Sequence, residues 1–149
     1  MCFTVNFDIN ANSSVAFGGK LDNTFGAGSY FNGDQHLIFD SYKECIIKSA
    51  IIDVEAATSM TFELRNNAGN VIDDTTLSLV SGSQRVDLNF NVPIDSDMQL
   101  GVPNGALQNI GLYRNSSNAN YPYDIASAIS ITSSSAIAVS YTHLTLPTK

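Results

Sequence analysis

Residues able to do chemistry are few and scattered along this chain. Its 149 residues hold two histidines, His36 and His143, two cysteines, and fourteen acids against seven Lys and Arg. Hydrolysis by a nucleophile needs a Ser or Cys with a base beside it. Serine is abundant, but no G-x-S-x-G elbow occurs. His36 precedes the apolar run LIF, where it reads as capping or flanking a strand. A zinc H-E-x-x-H pair, a Walker loop and a dinucleotide fingerprint are missing too. The glycine-rich GGKLDNTFGAG lacks the strand-to-helix setting that a phosphate cradle needs, so it reads as a loop. No catalytic residue is assigned.

The carboxylates give two further options. Asp73 and Asp74 are adjacent, and neighbours on a strand point to opposite faces, so the two do not line one cleft. Asp95 and Asp97 flank a turn after Pro93, where Asp is favoured for local hydrogen bonds. Asp22, Asp34 and Asp40, around the first long loop, are the candidate ligands of a structural calcium, since loop carboxylates and carbonyls supply hard oxygen donors. Their spacing matches no defined calcium motif. No other cofactor is expected.

The third option is aromatic. Tyr113, Tyr121 and Tyr123 lie near Arg114, Asn115, Asn118 and Asn120. Sugar recognition sets a flat ring against a pyranose face while amides and guanidinium groups bond its hydroxyls, and Tyr offers both an apolar body and a polar tip. Tyr113, Arg114, Asn115, Tyr121 and Tyr123 are therefore the candidate ligand-binding residues. The plainer alternative has Tyr113 packing inside the fold and YPY bracing a loop.

These side chains must be carried by strands. The composition is 44% hydrophobic and only 14% charged, with polarity supplied by Asn, Ser, Thr and Gly. Such a mix suits short strands and tight turns. The stretch FTVNFDI alternates Phe3, Val5, Phe7 and Ile9 on one face. HLIFD and ECIIKSAIIDVEA are apolar strands, the second with Ile46, Ala50, Ile52 and Val54 on one parity. MTFELRNNAGNVIDDTTLSL is a hairpin turning at residues 66–70, with Gly69 free to take the left-handed conformation and a return strand over 71–79. QRVDLNFNV alternates Val86, Leu88, Phe90 and Val92, and Pro93 ends it. DMQLGV, IGLYR and AISIT supply three more strands. Close spacing, turn residues and the lack of a helical period predict an all-β fold: a single antiparallel β-sandwich over residues 1–138, jelly-roll-like, with the part before residue 30 less defined.

The net charge of −7, with no basic run, excludes nucleic acid as an expected partner. No apolar run is long enough for a membrane span. Met1-Cys2-Phe3 leads straight into strand-like sequence, so a secreted setting implies an N-terminus upstream of it. Cys2 and Cys45 allow one disulfide, but Cys45 within ECIIKSAII reads more simply as a buried thiol.

The last residues, VSYTHLTLPTK, differ from everything before them. They resemble a translated sequencing adapter, a transposon mosaic end running into a primer site: GTC TCT TAT ACA CAT CTG ACG CTG CCG ACG encodes Val139 through Thr148 in frame. Residues 139–149 are accordingly expected to be non-native, which removes His143 from any site. The last native strand is then expected to be missing.

A family resemblance covers about residues 30–136. HLIFDSYKECIIKSAIIDVEA, TFELRNNAGNVI, QRVDLNFNVPIDSDMQLGV and GLYRNSSNANYPYDIASAISITSSSA together resemble a β-sandwich accessory module found in large secreted and cell-surface proteins of Bacteroidota-type bacteria. The resemblance implies a secreted or cell-surface location and a non-catalytic accessory role, a setting rather than a ligand; a glycan or neighbouring domains of the same polypeptide are the expected partners. The expected function is an accessory domain that binds carbohydrate. A structural spacer or adhesin-like domain without a small-molecule ligand is the alternative, and a glycoside hydrolase fragment a distant third, needing two carboxylates about 5 to 10 Å apart in one cleft.

Overall fold

The computed structural model describes residues 15–103 and 110–135. The expected strand at Phe3–Ile9, Cys2, and the tail with its adapter reading lie outside the described residues. Ten strands are present and no helix is found among the described residues: β1 Gly28–Phe31, β2 Gln35–Ser41, β3 Cys45–Val54, β4 Thr58–Arg65, β5 Val71–Leu79, β6 Gly82–Val92, β7 Asp95–Val102, β8 Leu112–Asn115, β9 Tyr123–Ile125 and β10 Ile129–Ser134.

Antiparallel pairing joins β1 to β8, β2 to β7, β3 to β6 and β4 to β5. Over β1–β8 the outermost strands pair and the rest nest inward, which is the strand order of an eight-stranded jelly roll. The two sheets are β1-β8-β3-β6 and β5-β4-β7-β2, and the β9–β10 hairpin extends the second by pairing β10 with β2. The expected jelly-roll-like sandwich is the observed fold.

Local chemistry accounts for several of these elements. The β4–β5 turn closes on Asn66, whose Oδ1 accepts the N–H groups of Ala68 and Asn70 at 3.0 Å, while Gly69 sits at φ 81°. On β6, Val86, Leu88, Phe90 and Val92 are buried and their neighbours exposed, as the alternation requires. They meet Leu37, Phe39, Met60, Phe62, Leu64, Met98, Leu100 and Ile131 from the opposite sheet in one core.

The parity expected for β3 needs correction. Cys45 and Ile47 are buried ahead of Ala50, Ile52 and Val54, and Ile46 is only half-buried. The β3–β6 register slips between Ile47 and Ser49, because β6 spends one more residue than β3 there. Asn89, at φ 55°, lies at that irregularity. A bulge of this kind changes which residues of a strand face the core.

Gly101 marks a close backbone approach in the six-stranded sheet. A Cβ there would stand 2.0 Å from the Gln35 carbonyl oxygen and 2.5 Å from His36 Cβ. The main chain of β2 cannot yield cheaply. Gly101→Ala is expected to cost about 1–3 kcal/mol by overpacking, read as a lower urea midpoint at unchanged slope. A shift worth less than about 0.5 kcal/mol, the range of a neutral surface change, would show that β2 and β7 separate freely here.

Candidate ligand-binding face

Leu112 turns into the core, so the next residue on β8, Tyr113, faces outward from the four-stranded sheet. The β1–β8 register sets Tyr30 opposite it. The two rings meet edge-to-face, with centroids 5.4 Å apart and planes at 86°, a favoured aromatic geometry. Tyr30 keeps 41% of its surface exposed.

On β3, Asp53 lies between the buried Ile52 and Val54 and shares the outward face. The Tyr30 hydroxyl donates to Asp53 Oδ1 at 3.0 Å, and the Asn23 side-chain amide donates to Asp53 Oδ2 at 2.6 Å. Glu55, just past the strand, accepts the Gly111 N–H at 3.1 Å. Desolvation pushes the Tyr30 phenol above its usual pKa, and the hydrogen bond to Asp53 with the charges of Asp53 and Glu55 adds to this. The face therefore carries an exposed ring, a second ring bracing it, and polar groups fixed beside both.

The five residues expected to bind a ligand are sorted into separate settings. Tyr113 belongs to the face just described. The Arg114 guanidinium stacks 3.9 Å from the Phe31 ring centroid. Asn115 is buried, and its Nδ2 donates to the carbonyls of Asn23 and Gly26 at 2.8 Å, tying the long first loop to β8. Its Oδ1 is buried with no hydrogen-bond partner. Tyr121 and Tyr123 belong to the other sheet's edge, packed against the core with ring centroids 5.3 Å apart. Tyr123 Oη also accepts the Asn120 N–H at 2.8 Å.

The sequence reading did not single out Tyr30, Asp53 and Asn23. One signal was present: Asp53 is an acid inside the apolar run AIIDV, where an outward-facing role is the only comfortable one. Tyr30 carried no such signal, because GSYF is too short to show a period.

The three candidate calcium ligands do not come together. Asp22 accepts both the N–H of Thr24 at 2.9 Å and its hydroxyl at 2.6 Å, and these bonds hold its carboxyl below the usual range. Asp34 Oδ1 lies 3.2 Å from His36 Nδ1 and 3.3 Å from Arg65 Nη1. Asp40 accepts the Asp97 N–H at 2.9 Å. Asp34 and Asp40 are six residues apart along an extended strand, about 20 Å. No group of three His, Cys, Asp or Glu among the described residues is arranged to hold a metal.

Cys45 is a free, buried thiol whose pKa burial raises. It lines a cleft of about 390 Å³ with Glu44, Ile46, Asn91, Val92 and Pro93.

Comparison with protein-family models, curated proteins and solved structures finds no match for this chain. The functional reading therefore rests on the residues of the face itself. No helix among the described residues is long and apolar enough to cross a membrane.

Proposed function

We propose that this chain is a non-catalytic accessory module of a secreted or surface-exposed protein, and that it holds a saccharide against the outer face of its four-stranded sheet. The observation that carries this reading is the outward Tyr30–Tyr113 pair, with Asp53 and Asn23 hydrogen-bonded beside it. A pyranose offers an apolar face to stack and hydroxyls to bond, and both kinds of partner stand together here. Strand pairing and the bond to Asp53 hold Tyr30 before a ligand arrives, so little side-chain freedom is lost on binding. The non-catalytic part rests on the absence of a catalytic motif from the sequence and on the family resemblance. The setting rests on the sequence resemblance alone.

Tyr30→Ala is expected to weaken binding of the best oligosaccharide from a glycan array by about tenfold or more, since an aromatic contact and its bonded hydroxyl are lost together. The thermal midpoint of the variant verifies that the fold survives. Undiminished affinity would remove the site from this face.

One observation favours the spacer alternative. Asn115 is committed to holding the first loop, and Tyr121 and Tyr123 are packed against the core. A spacer binds no glycan on any array. The adapter reading of residues 139–149 stands as a separate proposal, tested by resequencing the source DNA across the Ile137 codon; a genome that encodes the tail refutes it.

A further inference from the structure

We infer that the saccharide held on this face carries free amines: an amino-sugar polymer rather than a neutral or acidic glycan. The inference rests on the saccharide reading above and specifies its ligand class.

Asp53 and Glu55 stand beside the exposed Tyr30 ring, and their hydrogen-bond donors are neutral: a phenol, a side-chain amide and a backbone N–H. Among the described residues no Lys or Arg ion-pairs with either carboxylate. The nearest cation by register is Arg85 on β6, across from Ile51. It turns the other way along β3, its Nη1 donating to Ser49 Oγ at 2.8 Å, with the Phe17 ring centroid 5.8 Å from the guanidinium. Lys20 sits 4.9 Å from the Phe25 ring centroid, and Arg114 lies over Phe31. Arg85, Arg114 and Lys20 are thus matched to aromatic rings, and among the described residues the two carboxylates have no ion-pair partner.

The face that remains combines negative charge with the electron-rich surface of tyrosine. An ammonium group is attracted by both, through the ring quadrupole and the carboxylates. A neutral sugar meets these carboxylates only through its hydroxyls, without a countercharge of its own, and a uronate is repelled by them. Because the face is open to water, each contribution is modest, and together they amount to about tenfold in affinity.

The test measures binding of four oligosaccharides of equal length to the full chain by calorimetry: oligoglucosamine, its N-acetylated form, a neutral oligoglucoside and an oligogalacturonate. Oligoglucosamine is expected to bind about tenfold more tightly than its N-acetylated form, a preference that shrinks as salt rises because exposed charges are screened. Asp53→Asn and Glu55→Gln are each expected to lower the ratio of oligoglucosamine affinity to N-acetylated affinity, because the ammonium alone responds to the net charge removed. Asp74→Asn, on β5 of the other sheet, separates this site from attraction to an acidic protein in general and is expected to change nothing. Equal affinity for the amine and N-acetyl forms overturns the inference while leaving the saccharide reading intact. So does an equal loss in Asp74→Asn. Failure of all four to bind defeats both readings. If Asp53→Asn does not fold, Glu55→Gln and the salt dependence of the unaltered chain still decide.

Discussion

Phe39→Ala is expected to lower the unfolding free energy by about 3–5 kcal/mol, the largest effect of any single truncation considered. Phe39 is fully buried on β2, which runs between β7 and β10. Its cross-strand partners are Met98 and Ile131, both buried on the same face of the sheet. The ring thus reaches from the middle of the six-stranded sheet toward the facing one. Neighbours on hydrogen-bonded strands cannot close over the space it leaves, so the lost transfer energy is joined by a cavity cost. Chemical denaturation and a thermal midpoint lower by roughly 10 °C check this. Val80→Ala, at a site 64% exposed, serves as the contrast and should stay within about 0.5 kcal/mol. A loss below about 1 kcal/mol for Phe39 would mean that the two sheets are not packed on each other as described.

Arg65→Ala is the second large effect, about 3 kcal/mol. The guanidinium donates to Glu63 Oε2 at 2.7 Å, to Asp34 Oδ1 at 3.3 Å and to the Val102 carbonyl at 3.1 Å. The arginine side chain is 8% exposed and Glu63 17%, whereas Asp34 is 47% exposed. Most of the loss should therefore come from the Glu63 carboxylate and the Val102 carbonyl left without their donor, with the solvated Asp34 arm adding little. Glu63→Gln keeps an acceptor for Arg65 and should cost only about 1 kcal/mol. If both variants cost the same small amount, the cluster is a solvated surface pair and contributes nothing to holding β4 against β7.

Much of the fold was legible in the sequence because several elements are locally specified. The β4–β5 hairpin follows from NNAGN, where Asn66 can bond the turn's own N–H groups and Gly69 can take a positive φ. The alternation in QRVDLNFNV and the stop at Pro93 need no information from elsewhere in the chain. The shorter elements were less visible. β1 spans four residues and β9 three, too few for a period of two to stand out. The parity of β3 failed at Ile46 because it depends on a register slip against β6, and a strand's own sequence carries no record of its partner's bulge.

The candidate site was legible only in part, for a related reason. Tyr113 was visible as an aromatic among amides, and it stands on the face. Tyr121 and Tyr123 follow it closely in sequence, but the chain crosses from one sheet to the other between β8 and β9. Asp22, Asp34 and Asp40 looked like a cluster for the same reason, but Asp34 and Asp40 are held apart by the length of β2 and Asp22 is turned onto Thr24.

Composition, turn chemistry and alternation by themselves determined an all-β antiparallel sandwich, most of its strands and much of its core. These properties depend on residues within a few positions of one another. Only the tertiary structure decided which side chains share a surface. Tyr30 meets Asp53 because β8 lies between β1 and β3, and Tyr113 stands outward because Leu112 is drawn into the core. A sandwich that pairs β1 with β8 brings together residues far apart in the chain, and the pairing that does so is a property of the whole sheet.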